Sequence, residues 1–154
     1  MNAASTRPLD DLIHDPQFLA AILGGCLFWL ALAGIQPAWT EPDWPLRVPF
    51  AFVLAVLIYP VLEEIVFRGL IQGTLLKRSF GRRRLVGLTT ANVVTSIAFV
   101  ALHLINHQWY WALAVIAPSL LFGHFRERYD HLLPAIVLHM FYNAGYFWLF
   151  TAPA

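Results

Sequence analysis

The longest apolar stretch of the chain, residues 48–76, reads VPFAFVLAVLIYPVLEEIVFRGLIQGTLL. It is long enough to cross a bilayer, whose hydrocarbon core of about 30 Å needs about 20 helical residues. Pro60 removes a backbone hydrogen bond from such a helix and is expected to bend it. Because Glu63, Glu64 and Arg68 interrupt the stretch, it predicts one long, bent membrane helix that carries charge in its interior.

The composition of the chain also indicates a lipid environment. Of its 154 residues, 59% are hydrophobic and 12% are charged. Soluble domains have about 25% charged residues, and small domains bury only about 70% of the surface that their unfolded chains expose. A water-soluble globule is therefore not expected. The sequence has no basic run interleaved with aromatics, so no nucleic-acid partner is expected, and its single cysteine, Cys26, offers no internal disulfide.

Four further membrane helices are expected around this stretch. They are predicted over residues 18–36, 85–105, 109–125 and 132–150. The prolines and tryptophans of residues 36–47 are typical of an interfacial loop. The predicted fold class is all-α: a polytopic membrane protein with about five transmembrane helices around a polar intramembrane cavity. We expect one integral membrane domain over 1–154, with an anchor helix at 18–36 and a core at 48–150 that carries the motifs.

The basic residues predict the orientation of these helices, because cytoplasmic loops are enriched in Lys and Arg. Arg47 alone falls on one side of the predicted spans, and Arg68 lies within a helix. On the other side lie Arg7, Lys77, Arg78, Arg82, Arg83, Arg84, Arg126 and Arg128. The sequence therefore predicts a multi-pass protein of the cell (inner or plasma) membrane, with its N-terminus in the cytoplasm and its C-terminus outside.

Ionisable side chains inside the membrane helices mark the candidate site. Each costs about 2.5–3.5 kcal/mol at the bilayer centre, which makes it a functional candidate by default. The polar groups in the predicted spans that we single out are Glu63, Glu64, Arg68, His103, His139 and Asn143. Glu64 and Arg68 are four residues apart and can pair on one helix face. Glu63 has no such partner on its own helix, so it must meet a partner on another helix, become protonated or hold water.

A shared cavity would satisfy these groups together. His139 and Asn143 are four residues apart and lie on the same helix face. A buried glutamate suits the role of general base, an imidazole can share its proton, and imidazole or amide N–H groups can stabilise an oxyanion. The residues are therefore consistent with peptide hydrolysis, and equally with proton relay or ion binding.

Three spaced motifs carry a family resemblance. Glu63-Glu64-x-x-x-Arg68, Phe99-x-x-x-His103 and His139-x-x-x-Asn143 occur in this order, each on its own predicted helix. The set resembles the CPBP family of CAAX-protease and bacteriocin-processing intramembrane endopeptidases, also called type II CAAX prenyl endopeptidases or the Abi family. The resemblance runs from about Val48 to Phe150.

The resemblance implies a role for each motif residue. Glu63 would activate water with help from His103, His139 and Asn143 would stabilise the oxyanion, and Glu64 with Arg68 would support them. We expect a glutamic-type protease without a cofactor. The alternative is a zinc site at Glu63, His103 and His139, since His and Glu are acceptable zinc ligands.

The expected function is hydrolysis of a peptide bond in a membrane-associated substrate within the bilayer. The resemblance suggests a prenylated C-terminus, a bacteriocin leader or a C-terminal sorting tail as that substrate. Two alternatives remain: a non-enzymatic membrane immunity or scaffold protein, and a small proton or ion relay transporter that uses the same carboxylate.

The depth of His103 tests these assignments. At about 1.5 Å per residue, His103 lies about 27 Å from Leu85, whereas His139 lies about 11 Å from the start of its helix. The two can share a site if the first turns after Arg84 project from the membrane or the helix is steeply tilted.

Overall fold

The computed structural model describes residues 7–35 and 43–150. Three of its helices are long and apolar enough to cross a membrane. They are α1 (Pro16–Ala33), α3 (Pro49–Leu76) and α7 (Leu133–Phe150). A shorter apolar helix, α4 (Thr90–Asn106), lies among them. The predicted fold class, an all-α polytopic membrane protein, is confirmed. The single-domain prediction over 1–154 stays a prediction, because residues 1–6, 36–42 and 151–154 lie outside the described part.

Helix α1 corresponds to the predicted anchor, shifted towards the N-terminus. It follows a 3-10 helix at Leu9–His14 and begins at Pro16 because the Asp15 side chain caps it, accepting a hydrogen bond from the Gln17 N–H at 3.0 Å. One side of α1 exposes a row of leucines at helical spacing, 51–71% accessible, as expected of a lipid-facing surface. The row consists of Leu19, Leu23, Leu27 and Leu30.

A buried ion pair attaches the start of α1 to the end of the later helix α6 (Ile116–Tyr129). The Asp15 carboxylate is fully buried and accepts hydrogen bonds from Arg128 Nε at 2.6 Å and from the Tyr129 hydroxyl at 2.8 Å. The Arg128 hydrogen bond is the main reason why the pKa of the Asp15 carboxyl lies well below its usual range, although burial opposes that shift.

Helix α3, preceded by the short helix α2 (Trp44–Arg47), is continuous over the stretch that the sequence predicts as one bent helix. Two of its segments, Leu54–Ile58 and Ile65–Gln72, have π-helical pairing. Such wide turns are rare and occur frequently at functional sites. The first ends two residues before the buried Pro60, so the proline is accommodated by widening the helix. The interfacial loop predicted for residues 36–47 falls partly outside the described residues.

The predicted start of the third membrane helix at Leu85 is wrong. Residues Arg84–Leu85 (β1) and Leu88–Thr89 (β2) pair as an antiparallel hairpin. Val86 and Gly87 form its turn with φ of 51° and 84°, the backbone conformation that two-residue hairpins favour. Thr89 then caps α4 by accepting the Asn92 N–H at 3.0 Å. The hairpin shortens the path from the helix start to His103 to about 20 Å, which reduces the depth difference.

The predicted fourth helix is divided in two. Helix α5 (Trp109–Ala114) ends at Val115, and α6 continues beyond the predicted Phe125 to Tyr129. Arg126, predicted to lie in a loop, instead belongs to the last turn of α6 and pairs with Asp130 at 2.7 Å. Asp130 ends the helix in the left-handed conformation, with φ of 48°. In the described part of the chain, α6 packs against both α4 and α7.

Candidate active site

A cavity of about 1020 Å³ lies between the helices, and most of the predicted site residues line it. Its lining comes from α1, α3, α4, α5, α6 and α7. Glu63, His103, His139 and Asn143 all face it, together with a largely apolar and aromatic wall. The structure therefore brings together, around one cavity, four polar residues from three different helices. Glu64 and Arg68 do not line the cavity and are fully buried behind it.

Glu64 and Arg68 form the ion pair that their spacing predicts. Arg68 Nε donates to Glu64 Oε2 at 3.1 Å, and both side chains are completely inaccessible to solvent. Arg68 also donates from Nη2 to the Ser119 hydroxyl of α6 at 2.7 Å, and its guanidinium lies 5.6 Å from the centre of the Phe99 ring. The pair therefore links α3 to α4 and α6 through directional contacts.

His139 connects this buried pair to the cavity. Its Nδ1 lies 2.9 Å from Glu64 Oε1, and its Nε2 lies 3.7 Å from Glu63 Oε2. The ring stacks on Phe122 of α6, with ring centres 4.8 Å apart and an angle of 19° between the planes. The Glu64 carboxylate thus orients the His139 ring through Nδ1, and Nε2 of the same ring faces the Glu63 carboxylate.

His103 is oriented by its own helix. Its Nδ1 lies 3.0 Å from the Phe99 carbonyl oxygen, and because a carbonyl only accepts, Nδ1 must donate. In the neutral ring Nε2 then keeps its lone pair and can accept a proton. His107, one turn later, stacks on His103 with ring centres 5.5 Å apart. The centre of the Phe99 ring lies 4.4 Å from that of His103 and 5.9 Å from that of His139, so Phe99 packs beside both imidazoles.

Asn143 follows His139 by one turn of α7, and its side-chain Nδ2 donates to the Ala55 carbonyl of α3 at 3.0 Å. An amide nitrogen has two hydrogens, so one N–H remains after this bond. Asn143 and Ala55 both line the cavity. The predicted common face of His139 and Asn143 is thus present in the structure.

Three residues of the site escaped the sequence reasoning. Ser119 binds Arg68, Phe122 supports His139, and Ala55 holds Asn143. Ser119 is a polar residue within an apolar helix and could have been noticed for that reason. Phe122 and Ala55 carry no such signal, because their parts depend on packing between helices that are distant in sequence.

The donor atoms around the cavity also bear on the zinc alternative. The lining of the cavity includes Glu63 and the imidazoles of His103, His107, His124 and His139, which are ligand types that zinc accepts. Within residues 7–35 and 43–150, however, no group of three or more His, Cys, Asp or Glu side chains is arranged to hold a metal ion.

A family match covers this site. Residues 45–145 match the family model described as type II CAAX prenyl endopeptidase Rce1-like, a range that contains every candidate residue from Glu63 to Asn143. No curated protein and no solved structure matches the chain. The matched range is more than half of the chain and includes the three motifs. The chain therefore belongs to the Rce1-like family of type II CAAX prenyl endopeptidases.

Proposed function

We propose that the chain is an intramembrane endopeptidase that hydrolyses a peptide bond of a membrane-associated protein substrate, with Glu63 and His103 activating the attacking water. The observation that carries the proposal is the common cavity, which is lined by the half-buried Glu63 carboxylate, by the imidazoles of His103 and His139, and by the Asn143 amide. The family membership supports a protease of the CAAX type. The sequence-derived substrate classes are a prenylated C-terminus, a bacteriocin leader and a C-terminal sorting tail.

In the proposed reaction, Glu63 removes a proton from water as the water oxygen attacks the scissile carbonyl carbon. His103 shares this work through its unprotonated Nε2. The C–N bond then breaks, and the proton held by Glu63 passes to the leaving amine. Atoms and charge balance without a further reagent. We favour a mechanism that needs no metal because, in the described part of the chain, no group of three or more His, Cys, Asp or Glu side chains is arranged to hold an ion. Dependence of cleavage on added zinc after chelation would support the zinc alternative instead.

The oxyanion requires N–H donors, and the position of His139 suits this role: its Nδ1 lies 2.9 Å from Glu64 Oε1 and its Nε2 is on the cavity side, 3.7 Å from Glu63 Oε2. Donation to both Glu64 and the oxyanion requires a ring with a hydrogen on each nitrogen. The free N–H of Asn143 provides the second donor. Preorganised donors of this kind each contribute about 10²–10³ to kcat.

The orientation also remains part of the proposal. The backbone N–H of Arg7 donates to the Arg128 carbonyl at 3.0 Å, and Arg84 lies 3.7 Å from Glu127. The N-terminal segment, the hairpin and the end of α6 therefore share one end of the molecule, which we propose faces the cytoplasm. Labelling Ser79→Cys with an impermeant maleimide in a Cys26→Ala background tests this: labelling of intact cells contradicts it.

The test of the activity uses the full chain reconstituted in liposomes with three fluorogenic peptides, one for each substrate class. Wild type is expected to cleave at least one of them, whereas Glu63→Gln and His139→Ala are expected to lose that cleavage while inserting at normal abundance. Cleavage retained by both variants contradicts the assignment of the site. Proton or ion flux that Glu63→Gln abolishes, with no cleavage by wild type, would favour the transporter instead.

A further inference from the structure

Pro60 lies three residues before Glu63, and the proposed hydrolysis assigns it no part. It is buried and lies two residues after the end of the first π-helical segment of α3. In that turn the Tyr59 N–H donates to the Leu54 carbonyl, five residues earlier. The same spacing would pair the next carbonyl, that of Ala55, with the N–H of residue 60.

A proline has no N–H. The Ala55 carbonyl therefore loses the donor that π-helical pairing would give it, and the donor of ordinary α-helical pairing, the Tyr59 N–H, is already bonded to Leu54. A backbone carbonyl away from water needs a partner. Asn143 Nδ2 supplies it at 3.0 Å from the opposite helix.

We propose that Pro60 is a positioning residue for Asn143: by leaving the Ala55 carbonyl free, it provides the acceptor that fixes the Asn143 amide. This inference rests on the proposed function, in which Asn143 stabilises the oxyanion. A side-chain amide can rotate to present either its oxygen or its nitrogen. The Ala55 carbonyl accepts only the nitrogen, so the remaining N–H, rather than a carbonyl oxygen, is held at the cavity.

The chemical advantage is preorganisation. An amide that presented its oxygen would repel the oxyanion that forms during hydrolysis. An amide fixed before substrate binds requires no reorientation during the reaction, which is the condition for efficient electrostatic stabilisation. The local loss of one helical hydrogen bond at Pro60 is thus linked directly to the chemistry at Asn143.

The first experiment measures cleavage by Pro60→Ala in reconstituted full-length protein. Alanine restores an N–H that competes with Asn143 for the Ala55 carbonyl. We expect kcat to fall about tenfold, part of the effect of losing an oxyanion donor, with KM changed less than about twofold. The unfolding midpoint should stay the same or rise, because alanine favours a helix interior and proline does not. Pro49→Ala, at the exposed first turn of the same helix, is the matched control and should leave kcat unchanged.

A double-mutant cycle separates positioning from a general structural effect. If Pro60 acts through Asn143, Pro60→Ala should have no further effect on kcat in an Asn143→Ala background. An equal fall in both backgrounds would overturn the proposal, as would an unchanged kcat in Pro60→Ala alone.

A third measurement does not depend on catalysis. The chain has four asparagines, Asn2, Asn92, Asn106 and Asn143, so selective ¹⁵N labelling resolves their side-chain amides, with Asn143→Ala assigning the relevant pair. One Asn143 amide proton should exchange slowly in wild type and quickly in Pro60→Ala. Unchanged protection overturns the pairing. The expected change in a protein that cleaves no peptide would support the pairing and contradict the proposed function.

Discussion

The two faces of α3 that carry Glu63 and Glu64 place neighbouring carboxylates in different surroundings. The Glu64 side chain is completely inaccessible and contacts both Arg68 and His139. The Glu63 side chain is 28% exposed, faces the cavity and lies 3.7 Å from His139. Because successive helical residues differ by about 100° in direction, one helix supplies both a sealed ion pair and a carboxylate that water can reach.

The difference shows how a membrane helix can contain two acids with separate roles. A fully buried carboxylate needs a permanent counter-charge, since removing one partner leaves an uncompensated charge. A carboxylate beside a cavity can exchange its proton with water. The same residue type is therefore structural at Glu64 and suited to reaction at Glu63, and the next experiments test that division.

The largest effect is expected at Glu63. Glu63→Gln keeps the shape of the side chain and removes the base, so cleavage should fall about 10³–10⁴-fold, the upper part of the range for general-base catalysis. The unfolding midpoint should be nearly unchanged, because the Glu63 side chain is partly exposed and its contact with His139 is long, at 3.7 Å. Cleavage rates and unfolding curves in the same detergent check this. A large loss of stability would instead make Glu63 structural.

Glu64→Gln should differ by losing stability as well as activity. It leaves the buried Arg68 guanidinium uncompensated, which costs about 3–5 kcal/mol where a buried pair is broken. Reversible unfolding and membrane abundance measure the loss. The double variant Glu64→Gln with Arg68→Met is the control: it removes both charges and should recover part of the stability but not the activity. If Glu63→Gln and Glu64→Gln were equally stable, Glu63 and Glu64 would not differ in their structural role.

Phe122→Leu tests the packing behind the catalytic imidazole. The Phe122 ring stacks on the His139 imidazole and limits its rotation. Aromatic contacts of this kind contribute about 0.5–1.5 kcal/mol beyond the burial of surface area. We therefore expect kcat to decrease about threefold to tenfold with modest loss of stability. The neighbouring Leu121→Ala, which also lines the cavity but is not stacked on His139, provides the comparison. If Leu121→Ala lowered kcat more than Phe122→Leu, the shape of the cavity would matter more than the support of the His139 ring.

The smallest effect on cleavage is expected at Asp15, which does not line the cavity. The pKa of its carboxyl is lowered in the folded chain, so its ion pair contributes stability above the unfolded pKa of about 3.9, and that contribution is lost as the pH falls through the lower folded pKa. Asp15→Asn should lower the unfolding midpoint, and the difference from wild type should be constant from about pH 7 to pH 5 and shrink below about pH 4. If the difference between the unfolding midpoints of wild type and Asp15→Asn grew as the pH fell, the expected pH dependence would be refuted.

Much of the fold follows from hydropathy and spacing, since lipid selects long apolar helices and makes interior charges conspicuous. Glu63, Glu64, Arg68, His103, His139 and Asn143 were recognisable for that reason. The Glu64–Arg68 pair could be predicted from the helical repeat alone, because the two residues are four positions apart. The contact between Glu64 and His139 could not be derived in this way, because it joins residues 75 positions apart and depends on how α3 and α7 cross.

Local signals explain the errors at helix ends. The pair Val86-Gly87 followed by the capping residue Thr89 indicates a turn and a helix start, but the surrounding apolar residues obscured it. The division at Val115 has a signal in Pro118, which has no N–H to bond the Ala114 carbonyl and lies in the first turn of α6, where proline is tolerated. At Asn143 the acceptor depends on which carbonyl Pro60 leaves free, and this requires knowing that the preceding turn is π-helical.

The contact between α1 and α7 limits how the cavity can open. A Cβ on Gly25 would meet the Tyr142 ring at 2.7 Å, and the Tyr142 hydroxyl donates to the Ala21 carbonyl at 2.8 Å. Gly145 is likewise covered by Trp29. On its other side α1 is attached to α6 by the Asp15–Arg128 ion pair, by the Phe18 ring packed on Phe125, and by a hydrogen bond of 3.0 Å between Gln17 and His124. Moving α1 away from either neighbour would therefore break packed or hydrogen-bonded contacts.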